Sequence, residues 1–228
     1  MKLKLILLAA IALIFAGCAK KAPTFSVAQT WTEKPSKLTI VFTEPLVENE
    51  DDLKDDIEEY ANNFGEWFKL ELKKDYETYI KNAIALEYQK VDAEGMIIET
   101  DHVDSTEFKT PKPVSMEQGK GYYLAISNVI FTRREDASTN PAYYNSGAAF
   151  GANVNPGENS MAFAGETIVQ KGLWIYADYA IYNQSGERVA FGHEEIRSSF
   201  TYAMTRSDWE KCVLAFVKRS IARTPILK

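Results

Sequence analysis

Few residues in this chain have types and spacing that could do chemistry. It holds 2 histidines and 2 cysteines in 228 residues. His102 stands in a polar stretch, whereas His193 opens the run His193-Glu194-Glu195 inside a strand-like segment. Metal centres draw on several His, Cys or carboxylate ligands converging on one point. Strand alternation sends His193 and Glu194 to opposite faces and leaves only His193 and Glu195 on a shared one. The reading is a surface pair, with no metal and no cofactor. The acidic run from Glu48 through Glu59 lacks the alternating ligands, turn glycine and distal glutamate of a calcium loop, so it reads as acids complementing a helix N-terminus. No G-x-S-x-G elbow, phosphate loop or H-E-x-x-H motif occurs, and the expectation is a protein that is not an enzyme. Cys212 falls on the apolar face of a helix with Trp209, Val213, Phe216 and Val217, which reads as a small core residue.

The remaining cysteine has a different setting. Lys2 and Lys4 precede an apolar run, Leu5 to Phe15, of 11 residues, followed by Ala16, Gly17 and Cys18. This is the layout of a secretory signal peptide, and the apolar run is too short to span a bilayer, which takes about 20 residues. Ala16-Gly17-Cys18 resembles the bacterial lipobox, with Phe15 where that motif usually has leucine. The resemblance implies acylation of the Cys18 thiol with palmitate-type chains, cleavage before it, and residues 1–17 as a removed leader. More than one acyl chain suffices for stable anchoring without a spanning helix. Ala19 after the cysteine resembles the outer-membrane sorting signal, which implies a lipid-anchored cell-envelope protein facing the periplasm. With Lys2 and Lys4 gone, 24 basic residues face 32 acidic ones, a formal charge of −8. That balance argues against nucleic acid and against a basic patch as the membrane contact.

The elements that must position any site follow from periodicity. Residues 18–36, with Pro23 and Pro35, read as a lipidated tether, and residues 37–228 as a single α+β domain. Alternation predicts a strand over Lys37–Thr43. Apolar steps of three and four from Leu53 to Ala83 predict a helix of roughly 25–30 residues, with Gly65 as its weak point. Residues 84–99 are ambiguous: Ala85–Tyr88 prolongs the helix or begins something new, and Asp92–Gly95 is a turn before a strand at Met96–Ile98. Asp101–Gly121, with its prolines and glycines, reads as a loop. Tyr122–Thr132 is a central strand, with Leu124, Ile126 and Ile130 on one face and Tyr123, Ala125, Val129 and Phe131 on the other. A flexible insertion over 133–166 follows, rich in Gly, Ala and Asn. In it, Tyr143, Tyr144, Phe150 and Phe163 are the candidate partner-binding contacts. Leu173–Tyr182 and Arg188–Phe200 are paired strands across an Asn183–Gly186 turn. Ser207 and Glu210 fit a capping box opening a closing helix that Pro225 stops. The expected architecture is an antiparallel or mixed sheet of about four to five strands with a long N-terminal helix and a C-terminal helix packed on it.

That order resembles the small α+β fold of periplasmic lipoproteins. It is found in the curli-secretion lipoprotein, the lipoprotein activators of penicillin-binding proteins and the N-terminal domain of TolB. The likeness rests on Leu38–Phe42 before the helix, on Tyr122–Ile126, and on Ile181–Val189. The last resembles the family's strand, D-x-x-T-G turn and strand, with Asn183 and Ser185 in place of the aspartate and threonine. The resemblance implies a non-enzymatic binding, adaptor or activator component of an envelope assembly, with an envelope protein as partner. Two alternatives stand beside it: a subunit of an outer-membrane secretion pore, with Tyr143–Phe163 as the inserting hairpin, and an envelope hydrolase built from dispersed carboxylates such as Glu194 and Glu195.

Overall fold

The computed structural model describes residues 25–48, 63–81, 83–103, 106–136, 170–198 and 206–227, with side chains of 133–136 and 170–172 left aside. Cys18 and the leader, the acidic run from Asn49, and Tyr143, Tyr144, Phe150 and Phe163 lie outside these residues. No helix among the described residues is long and apolar enough to cross a membrane.

The elements in chain order are β1 (Phe25–Val27), β2 (Lys37–Thr43), β3 (Leu46–Val47), α1 (Phe64–Tyr79), β4 (Ala85–Val91), β5 (Met96–Val103), β6 (Thr106–Pro113), β7 (Tyr122–Asp136), β8 (Gln170–Tyr182), β9 (Arg188–Arg197) and α2 (Arg206–Ile221). The class is α+β. The main sheet is mixed and seven-stranded, in the order β1-β9-β8-β7-β2-β4 with β3 joined to β7, and β5-β6 form a separate two-stranded ribbon. It therefore exceeds the four to five strands expected. The extra members are short or marginal: β1 has three residues, β3 two, and β4 is an edge strand with alternating exposure.

β2 leads through α1 to β4, which lies parallel beside it, the crossover connection that parallel neighbours require. Residues 85–91 are thus a strand, not a continuation of the helix. Within the described residues α1 is 16 residues long, shorter than the helix expected. It opens at Phe64, and Gly65 sits in its first turn. A Cβ on Gly65 would come within 2.5 Å of the Glu44 carboxylate, so the glycine leaves room for that side chain at the start of the helix.

Both helices cover one face of the main sheet. Leu38, Ile40, Phe42, Leu124, Ile126, Phe131, Leu173, Ile175 and Ile181 point there, against Phe68, Leu72 and Tyr76 of α1 and Val213, Phe216 and Val217 of α2. The centre is aromatic: Phe131 stacks on Trp209 at 5.1 Å and meets Phe64 edge-on at 5.3 Å. Tyr76 Oη and Ser220 Oγ, 2.9 Å apart, tie the two helices together in the interior. Cys212 is 1% exposed in this layer, as the helical spacing predicts, and burial pushes its thiol up to about 12.

Four sequence expectations need correction. Residues 101–121 are not one loop. Thr106, Phe108 and Thr110 alternate with Glu107 and Lys109, and β6 tolerates Pro111 and Pro113 because it pairs only with β5. The tether does not extend to residue 36, because Phe25–Val27 pairs antiparallel with β9. The assignment of β7 to faces fails beyond Ser127, where one extra residue in β7 shifts the register. This bulge, with Asn128 at φ 49°, turns Val129 and Phe131 to the helical side beside Leu124 and Ile126. Finally, the Ser207–Glu210 capping box does not open α2, which already includes Arg206. Glu210 instead accepts a 2.8 Å hydrogen bond from Arg206 Nε.

Candidate functional site

Among the described residues, the face of the sheet away from the helices is covered by the β5-β6 ribbon over part of its area. The β5-β6 ribbon lies over its Tyr123, Ala180, Tyr182 and Phe191 end. Arg188 pins it there, donating to Asp101 Oδ1 at 2.8 Å and Thr110 Oγ1 at 2.9 Å, while Tyr182 Oη donates to the Pro111 carbonyl at 3.1 Å. Phe108 meets Phe191 edge-on at 5.4 Å. Further along the strands the same face turns polar.

Three strands build that polar region through direct cross-strand neighbours, the closest side-chain contacts a sheet offers. Ser127 on β7 faces Asp178 on β8, which faces His193 on β9. One step on, Tyr176 faces Glu195, and beyond it Trp174 faces Arg197. Asp178 is 5% exposed in the middle of a strand that holds no other acid. Both of its oxygens are engaged: Asn128 Nδ2 donates to Oδ2 at 2.6 Å, and His193 Nδ1 lies 2.7 Å from Oδ1. The bulge explains the first contact, since it puts Ser127 and Asn128 on the same side of β7.

The Asp178 hydrogen bond is the largest influence on His193. It favours the imidazolium and raises the His193 pKa above the ordinary 6.5, with the charges of Asp178, Glu195 and Glu194 adding to it and burial opposing it. The Asp178 carboxylate accepts a hydrogen bond from Nδ1–H, so Nε2 is the nitrogen that meets anything approaching the face. The His193 ring stacks near Tyr176 at 6.3 Å, and Tyr176 lies almost parallel to Trp174 at 6.4 Å and 9°. The Arg197 guanidinium lies 5.7 Å over the Trp174 ring, and Tyr176 Oη donates to Glu195 Oε1 at 3.4 Å. The result is a line of three flat rings flanked by one cation and one carboxylate.

A nucleophilic serine needs its base beside it. Here Asp178 stands between Ser127 and His193, so the serine neighbours the acid and not the imidazole. Among the described residues no group of three or more His, Cys, Asp and Glu side chains is placed to hold a metal.

The sequence-derived residues separate as alternation requires. His193 and Glu195 share the outer face. Glu194 is 5% exposed on the helical side, 3.3 Å from Arg219 of α2, and burial raises its carboxyl pKa. His102 is exposed on the ribbon. Asp178 and Asn128 escaped the sequence reading although each left a signal, a lone acid in the apolar run of β8 and a lone amide in that of β7. Neither has a recognisable spacing, because the partners come from three strands.

Asp75 on α1 is a second charged group in an unusual place. It is 4% exposed at the face toward α2, its Oδ2 has no hydrogen-bond partner, and burial pushes its pKa up to about 6.

No protein-family model matches the chain, and no curated protein matches it at a significant level. The site rests on its own geometry.

Proposed function

We propose that this protein is a lipid-anchored, periplasm-facing component of a cell-envelope assembly, held at the outer membrane through acyl chains on Cys18. It acts by binding a protein partner and carries out no reaction of its own. The observation that supports the binding role most is the outer-face line Trp174-Tyr176-His193, with Asp178 holding the imidazole and Asn128 holding Asp178. Flat, stiff rings give contact area at low entropic cost, and Arg197 with a readily protonated His193 favours a partner that presents carboxylates or backbone carbonyls. An envelope hydrolase using Glu194 and Glu195 together is disfavoured by their placement on opposite faces of the sheet.

The test is co-purification of the full-length protein, extracted from its own membranes in mild detergent, beside an Asp178→Asn variant. A partner that accompanies the first and is lost or reduced about tenfold with the second, the size of a 1.4 kcal/mol change in binding, fits the proposal. Equal recovery with both variants removes the outer face from the binding role.

A further inference from the structure

Resting on the binding role proposed above, we infer that Asn128 is a positioning residue of the outer face, fixing His193 through Asp178 so that Nε2 alone is presented to the partner. Nε2 then donates a hydrogen bond while the imidazole is charged and accepts one when it is neutral. The bulge in β7 supplies the reason. Asn128 and Val129 stand against the single Ala177 of β8, between the pairs Ser127–Asp178 and Ile130–Tyr176. Among the described residues Asn128 is the non-glycine residue with a positive φ, 49°, a conformation that costs most side chains and that glycine, asparagine and aspartate visit routinely. Of these three, glycine carries no side-chain donor, and aspartate would set a second carboxylate beside Asp178. Asparagine alone fits the backbone and supplies an uncharged N–H. The in-register neighbour does not do this: Ser127 faces Asp178 directly, yet its Oγ is buried without a hydrogen-bond partner.

What this does to His193 follows from the chemistry of a carboxylate, which accepts hydrogen bonds and donates none. Asn128 Nδ2 donates to Asp178 Oδ2 at 2.6 Å, and His193 Nδ1 lies 2.7 Å from Oδ1. The proton between Asp178 and His193 therefore belongs on Nδ1. With Oδ2 held by the amide, the carboxylate keeps one orientation and Oδ1 faces the ring. In a neutral imidazole the tautomer is set by the bond its other nitrogen makes, so neutral His193 carries its one N–H at Nδ1 and a lone pair at Nε2. The charged groups around the ring are Asp178 on β8, Glu195 on the same face of β9, and Glu194 on the opposite face, where Arg219 of α2 pairs with it. The Asp178 hydrogen bond, joined by the charges of the three acids, favours the charged ring, and burial opposes it, so the exchange of roles falls above pH 6.5. Below the exchange the position suits a partner's carboxylate or carbonyl, and above it a hydroxyl or amide donor.

The experiment uses the full-length protein in detergent micelles with 15N in its 2 histidines, read by two-bond 1H–15N correlation between about pH 5 and about pH 9. His193→Gln identifies the signals by removing them and leaving those of His102. At the alkaline end the native protein is expected to show a protonated Nδ1 and a bare, pyridine-like Nε2 in His193. Asn128→Gly keeps the backbone conformation accessible but frees Oδ2, so the Nδ1–H share falls and the Nε2 signal shifts toward its protonated position. In Asp178→Asn the new Oδ1 accepts from the Asn128 amide and the new Nδ2 faces the ring, so the neutral proton moves to Nε2. A native protein with its neutral proton on Nε2, an Asn128→Gly protein with the native tautomer, or an Asp178→Asn protein that keeps the proton on Nδ1 overturns the inference. These readings need no partner. Equal co-purification of the native and Asp178→Asn proteins beside the expected tautomers would remove the binding role alone and leave the positioning of His193 standing.

Discussion

The two faces of the main sheet are made by the same strands and differ in what they bury. On the helical side, α1 and α2 close over an interior in which Phe131, Phe64, Trp67 and Trp209 are 8% exposed or less. On the outer side, among the described residues, the ribbon closes one end, and the rest carries the buried Asp178, His193 and a line of rings. The face shielded by two helices is mainly apolar, with Glu194 paired to Arg219 among its few charged groups, whereas the face shielded by a single ribbon holds a cluster of polar groups beyond it. The energetic consequences differ accordingly: the helical face holds the fold, and the outer face is the one we propose meets a partner.

The largest effect should come from the helical face. Phe131→Ala removes a ring packed on Phe64, Trp67, Phe68 and Trp209 and is expected to lower stability by about 3–5 kcal/mol, read by chemical denaturation. A loss below about 1 kcal/mol, the range of an ordinary surface substitution, would erase the contrast between faces. On the outer face, Asp178→Ala leaves His193 and Asn128 without their shared acceptor and is expected to lower stability by about 1–3 kcal/mol. Binding should suffer more than stability, so a variant that loses stability and keeps its partner breaks the comparison.

Two smaller effects concern charge. The folded Asp75 carboxyl has its pKa raised from 3.8 to about 6, chiefly by burial. For a raised acid the native state is favoured fully below the unfolded pKa and progressively less as pH rises through the folded one. Asp75→Asn should therefore stabilise the protein by about 1–2 kcal/mol at pH 7.5 and change little at pH 3.5, as denaturation at the two pH values will show. His193 also has a raised pKa. Its contribution is complete below the unfolded value near 6.5 and is lost as pH rises through the folded value. With the side chain 42% exposed, solvent screening holds this to less than about 1 kcal/mol. His193→Gln should flatten the stability profile above pH 6.5, and an unchanged profile would show that the Asp178 contact does not hold the proton.

How far the sequence carried this picture depended on the range of the interactions. The Asn183–Gly186 turn was legible because its contacts are local: Asn183 Oδ1 accepts from the Ser185 and Glu187 amides, and Gly186 takes φ 82°. The core face of α2 was legible for the same reason, helical spacing being a local property. Beyond Ser127, β7 was misread because one inserted residue inverts every later side chain, and only pairing with β8 reveals the insertion. The strands at 85–91 and 106–113 were obscured by helix-compatible residues in one and prolines in the other, both outweighed by their neighbours in the sheet. For the candidate site, His193 and Glu195 were visible as a pair, whereas Asp178 and Asn128 gained meaning only when three strands were laid side by side.

The central claim is that the outer face meets a partner. The most direct measurement is photo-crosslinking in living cells, with a light-activated residue at Tyr176 on the outer face or Leu70 on α1 in the full-length protein. The account predicts a discrete heavier adduct from position 176 that disappears when Asp178→Asn is added, and none from position 70. An adduct from 70 alone, or one from 176 that survives Asp178→Asn unchanged, would contradict it.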